Sequence, residues 1–307
     1  MTEIQKKILM EIADISGTAD VANGAYNIRV DGKSAGRSST AGVSISPKPE
    51  GTGLDIVVTP GAKEKIHIPV VVSADDHREE VLNDFIIGEG ADVTIIAGCG
   101  IHNCGSGRSQ HDGVHSFVVK PGAHVKYIEK HIGAGDGTGE RVLNPVTNIV
   151  IESGGTMEMD TIQIRGVDST RRITRAVLAE DASLIIHEKL MTHGTQTAET
   201  VFEVEMNGED CGANVVSRSV ARDSSKQVFL SKINGSNRCA GHSECDAIIM
   251  DSATVQAIPE ITANHTEASL IHEAAIGKIA GEQLIKLMTL GLTETEAEEQ
   301  IINGFLK

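Results

Sequence analysis

The chain has 307 residues and a mass of 32.4 kDa, room for one large domain or two medium ones with a substantial core. Hydrophobic residues make up 40% and charged residues 23%, which excludes a disordered chain. Asp and Glu number 43 against 27 Lys and Arg, a formal charge of −16, and a surface this acidic repels phosphate backbones and argues against a nucleic-acid partner.

At the N-terminus Thr2 and Gln5 fit a capping box, and Ile4, Ile8, Ile12 and Ile15 recur at helical spacing until Gly17. This predicts a helix, in a helical segment assigned to residues 1–29. The same stretch lacks the apolar core and cleavage site of a signal peptide, and no run reaches the ~18 apolar residues of a membrane span. The expectation is a cytoplasmic protein without membrane contact, whose five cysteines are reduced.

From 30 to 275 short β-rich runs alternate with Gly, Asp and Ser turns, among them Leu54–Val58, Ile66–Val72, Val93–Ile96, Val125–Ile128 and Ala247–Met250. No convincing amphipathic helix interrupts them, which excludes βαβ classes. A turn followed by a small residue recurs at 62, 91, 123, 155, 182, 213, 253 and 268, mostly 27 to 32 residues apart. Coils of roughly 30 residues, about eight of them, point to a β-solenoid over an ordinary sandwich or barrel. Aromatic residues are only 2%, which suits a narrow aliphatic interior. Residues 276–307 read as a C-terminal helical hairpin. Leu284, Leu287 and Met288 form one stripe, closed by Gly291. Thr293 and Glu296 fit a second capping box ahead of Ala297, Ile301 and Phe305.

Two regions concentrate ligand-type side chains. In Gly98-Cys99-Gly100-Ile101-His102-Asn103-Cys104 the spacing fits no standard zinc knuckle, so the segment is either a small-residue turn or a structural zinc site of Cys99, His102 and Cys104. The second is Gly241-His242-Ser243-Glu244-Cys245-Asp246 with His272-Glu273 one coil on. A thiolate beside imidazole and carboxylate binds iron or zinc, or accepts sulfur; the bland alternative is a buried cysteine and a strand-end histidine. His111, His115, His187-Glu188, His193 and the Arg171-Arg172/Arg175 cluster read as solvated groups. No P-loop, dinucleotide fingerprint or nucleophile elbow is present, so neither a nucleotide cofactor nor a turnover motif is expected.

The run His242 to Ile249, then His272-Glu273-Ala274, Gly281-Glu282-Gln283-Leu284 and Gly291 to Ala297, closely resembles the SufB/SufD family of the SUF iron–sulfur cluster assembly system. Asp84 to Gly100 and Ser217 to Asp223 add weaker matches. The resemblance implies a right-handed parallel β-helix acting as a scaffold for a transient cluster, not as an enzyme. It implies a C-terminal helical segment that docks a SufC-type ABC ATPase, and a sulfur donor protein as a further partner. It makes Cys99 the point where sulfur enters, Cys245 the sulfur acceptor, and Cys245, His272 and Glu273 the cluster ligands, with Cys104, His242 and Glu267 as weaker candidates. Because one chain carries both Cys245 and His272, a homodimer is expected to complete the site. Ile271 stands where many SufB sequences carry Glu, and no flavin motif is seen. The competing function is a β-helix polysaccharide lyase or hydrolase, which the near-absence of aromatics for sugar stacking disfavours.

Overall fold

The turn repeat becomes the rungs of a stacked coil. The computed structural model describes residues 1–49 and 51–307. One sheet runs through β5 (Lys63–Val72), β7 (Asp92–His102), β9 (His124–Ala134), β12 (Thr156–Arg165), β14 (Ser183–Thr192), β16 (Cys211–Ala221), β18 (Cys239–Ile249) and β20 (Ala268–Gly277). The opposing sheet runs through β4 (Gly53–Val58), β6 (Arg78–Ile87), β8 (Ser109–Val119), β10 (Arg141–Leu143) with β11 (Val146–Ile151), β13 (Ser169–Leu178), β15 (Thr197–Met206), β17 (Lys226–Gly235) and β19 (Thr254–Ala263). Successive strands alternate between sheets and pair in parallel with the coil before. Among the described residues only β1 (Ala25–Val30) with β2 (Lys33–Ser38), and β3 (Val43–Pro47) with β4, pair antiparallel, at the N-terminal end.

Strand register fixes the period. Lys63, Asp92, His124, Thr156, Ser183, Gly212, Ala240 and Ser269 lie opposite one another in turn, at steps of 29, 32, 32, 27, 29, 28 and 29 residues. The small-residue column directly before them is Ala62, Ala91, Ala123, Gly155 and Ala182, then Cys211, Cys239 and Ala268. The expected positions 213 and 253 are therefore corrected. Cys211 and Cys239 fill the column as small buried side chains, and Ala253 lies in a turn leading into the other sheet. The residue before each of the first six small ones turns the chain, with φ of 64° to 69° at Gly61, Gly90, Gly122 and Gly154 and 54° and 56° at Asp181 and Asp210. Glycine tolerates that left-handed backbone, and Asp replaces it because its short side chain bonds locally. Inside, like stacks on like: Phe85 lies opposite Phe117 with ring centroids 4.3 Å apart, a pair worth roughly 0.5–1.5 kcal/mol beyond burial.

Helix α1 (Glu3–Ala13) has the expected Thr2/Gln5 capping box but ends at Asp14 (φ 55°), ahead of Gly17. Its buried face is Ile8, Leu9, Ile12 and Ala13, while Ile4 is exposed. That face packs on Val71, Ile96, Ile128 and Ile132 of β5, β7 and β9. Gly98 and Gly100 let it lie flat: a Cβ on Gly98 would sit 3.1 Å from Ile12 Cβ, and one on Gly100 would collide with Ile8 Cγ2. At the other end α3 (Glu294–Phe305) starts with the expected Thr293/Glu296 capping box. It returns to the outer face of β14–β18, where Ile302 and Leu306 pack with Val220, Met191 and Ile248. The buried stripe is thus Ala297, Ile302 and Leu306, with the predicted Ile301 and Phe305 half-buried beside it. Between them α2 (Gly281–Thr289) buries no side chain, and Ile285 and Leu290 stand 62% and 76% exposed. Among the described residues no helix is long and apolar enough to cross a membrane.

Candidate functional site

The coil interior is not uniformly apolar. Successive strand residues point to opposite faces, so Val125, Tyr127, Glu129 and His131 share the inward face of β9, as do Leu184, Ile186 and Glu188 on β14. Arg172, expected on a solvated face, is 4% exposed inside the coil. It donates to Glu129, lies 3.1 Å from His131 Nδ1 and places Nε 3.8 Å from Glu188. Its neighbours Arg171 and Arg175 do face outward, pairing with Glu199 and Glu203. His111 and His115, also expected in solvent, are buried. His111 Nδ1 contacts Glu79 at 3.2 Å, and His115 joins Tyr127 at 2.7 Å and Asn83 at 3.2 Å.

The electrostatics follow from enclosure. Burial works to neutralise Glu129, but the charges of Arg172 and then His131 override it and hold the carboxyl well below its usual range. Burial raises Glu188, against Arg172 and against hydrogen bonds donated by Ser217 (2.7 Å) and Thr200 (2.9 Å). Burial also lowers His115 to about 4. Sequence reasoning missed this network because polar residues were read as exposed. Extending the alternation from Val125 or Leu184 would have placed them inside.

Cys99 belongs to this interior. It lies on the inward face of β7 opposite His131 and shares a small cavity with His111, His115 and Glu129. Burial, with Glu79 and Glu129 adding to it, raises its thiol well above the usual value. Cys104 is exposed instead, with Sγ 3.0 Å from His102 Nε2. The zinc set of Cys99, His102 and Cys104 does not gather. Among the described residues the one cluster of three donors is His242, Glu244 and Glu273.

Cys245 and His272 lie on the last two rungs of this sheet, on β18 and β20. Inward positions run Glu129, Thr161, Glu188, Ser217, Cys245 and Ala274 across β9 to β20. His272 stands two residues before Ala274, opposite Ser243. Cys245 is 1% exposed, and burial followed by the charges of Glu188 and Asp246 pushes its thiol up to about 12. Burial and then His242 lower His272, whose Nδ1 is buried without a hydrogen-bond partner. Thiol and imidazole therefore share one face, whereas Glu273 points the other way, outward beside His242 at 3.9 Å. Glu267 is exposed in the turn before β20, seven residues short of the partner of Cys245, or about 23 Å at ~3.3 Å per residue.

Residues 78–305 match the SufBD core domain of SUF system FeS cluster assembly, a span from β6 to the end of α3. The chain belongs to this SufBD family. A protein of Archaeoglobus fulgidus named as an iron–sulfur cluster assembly SufBD family protein is 30% identical over 250 residues, covering 81% of this chain and 66% of its own length. A namesake from Methanothermobacter thermautotrophicus is 30% identical over 255 residues, 80% of this chain and 60% of its own. One from Methanocaldococcus jannaschii is 28% identical over 257 residues, 82% and 79% of the two chains. This SufBD chain thus spans 66% and 60% of the lengths of the first two relatives, less than two thirds of each.

Proposed function

We propose that this SufBD family member is a scaffold on which an iron–sulfur cluster is built, with Cys245 as sulfur acceptor and Cys245 and His272 as ligands, working with a SufC-type ABC ATPase. The observation that carries this is that thiol and imidazole share the inward face of the last two rungs, on β18 and β20, next to edges of β19 and β20 that have a strand on one side only. Unpaired strand edges are templates for another chain. Ile261, Ile271 and Ile276 lie exposed on them, so a second copy is the occupant we assign, bringing two Cys245 sites to a shared seam. A thiol near pKa 12 stays protonated near neutrality, and thiolate is the form that binds metal or attacks sulfur. Iron arrival must therefore displace the proton. Soft thiolate with imidazole suits a cluster that later leaves.

Sulfur is proposed to enter at Cys99. Cys99 and Cys245 lie five rungs apart, about 24 Å at ~4.8 Å per strand, which rules out direct thiol-to-thiol transfer in this arrangement and makes the two steps separately testable. Anaerobic reconstitution with ferrous iron and sulfide is expected to give visible sulfur-to-iron charge-transfer absorption that Cys245→Ala abolishes and His272→Ala diminishes. Unchanged absorption in Cys245→Ala overturns the assignment. Docking of the ATPase is assigned to the bare apolar stripe of α2, with Leu284 and Leu287 half-buried and Ile285, Met288 and Leu290 exposed.

A further inference from the structure

The outward face of the last two strands carries a second constellation. His242 and Glu244 lie two residues apart on β18, and Glu273 lies opposite Glu244 on β20, so all three project from one side of the sheet, away from Cys245. Their donor atoms fall within 4.8 Å of one another, with His242 Nε2 and Glu273 Oε2 3.9 Å apart. Ligands on a first-row cation at ~2.1 Å lie at most about 4.2 Å apart, so side-chain shifts of under an ångström close the set.

The histidine is already aimed. Its Nδ1 meets Asn214 Oδ1 at 2.9 Å, on the strand before. A carbonyl oxygen there accepts the Nδ1 proton, which leaves the Nε2 lone pair toward the carboxylates, the outer contact metal-binding imidazoles usually have. Asp246 adds a third carboxylate to the face, and Arg218, opposite it, offsets only one of the three.

We propose that His242, Glu244 and Glu273 form an outward-facing site for a divalent cation, on the opposite side of the sheet from the sulfur-accepting thiol. It rests on the assembly reading only for the identity of that cation, ferrous iron. One imidazole and two carboxylates suit ferrous iron or manganese, whereas the soft thiol inside suits sulfur and the finished cluster. The same strand pair then receives its two inorganic substrates on its two faces, and Glu273, grouped by family resemblance with Cys245, serves the outer one.

Manganese(II) titration of the full chain, followed by electron paramagnetic resonance, tests this. One saturable Mn2+ per chain is expected, with pulsed spectra showing coupling to a single imidazole nitrogen. His242→Ala, Glu244→Gln and Glu273→Gln should each weaken binding at least tenfold, while Cys245→Ala leaves it unchanged. Absence of saturable binding, absence of nitrogen coupling, or loss on Cys245→Ala overturns the proposal. The nitrogen coupling is read on the unaltered chain, so a variant that misfolds does not remove the test. Mn2+ binding without cluster absorption on reconstitution would sink the assembly reading and leave this site standing; the reverse result would sink the site alone.

Discussion

Removing the guanidinium of Arg172 would strand Glu129 and Glu188 inside the coil without their cation. Breaking a buried pair by deleting one partner costs about 3–5 kcal/mol, so Arg172→Met should lower the urea midpoint sharply; a loss near zero would mean that the lumen is wet enough to solvate both carboxylates. The same interior makes stability depend on pH. His115 and His67, held by burial near 4 against 6.5 in the unfolded chain, leave the unfolded state with more bound protons between those values. Glu79 does the same between 4.5 and about 2: burial works to raise it, but His111 and then Arg29 dominate and bring it down. Where the unfolded state binds more protons, stability rises with pH. Stability is therefore expected to fall as pH drops from about 6.5, opposed in the carboxylate range by Glu188, which is raised. Urea midpoints at pH 7 and 5 check this, with His115→Gln flattening the difference. The placement of Cys245 and His272 on neighbouring rungs was legible because their separation in sequence is close to one coil period. That of Arg172 and Glu188 was not, because their burial is imposed by strands distant in sequence.

Helix α1 and helix α2 present opposite cases. The capping box of α1 was readable from Thr2 and Gln5, and its buried side from Ile8 and Ile12, but its seat was not, since nothing local says that β7 offers Gly98 and Gly100 to receive them. Gly100→Val should lift the helix from the sheet and cost about 1–3 kcal/mol, as overpacking does, with lost protection of α1 amides in hydrogen exchange as the signature. For α2 the expectation reverses. Ile285→Asp with Leu290→Asp touches no buried contact, so stability should move by less than about 0.5 kcal/mol, while capture of a SufC-type ATPase should be lost. Retained capture would place the docking surface elsewhere.

At the scale of the molecule, the coil period and the solenoid were readable because each rung repeats the same turn chemistry. The phase slipped at position 213 because Cys211 and Cys239 do the work of alanine in the small-residue column, and at 253 because turns into the two sheets look alike in sequence. If a second copy sits on the terminal edges, Ile271→Lys with Ile276→Lys should shift sedimentation from dimer to monomer; an unshifted profile removes those edges from the interface. In a stack of this kind each repeat is held only by its neighbours. β19 and β20 have one neighbouring rung, while β14 and β15 have two. Unzipping from the C-terminal end therefore costs a single rung's contacts, and the thiols such fraying would uncover are those of Cys239 and Cys245, both on β18. A protomer lacking its cap would breathe at the rung proposed to receive sulfur, and a seated cap would close it.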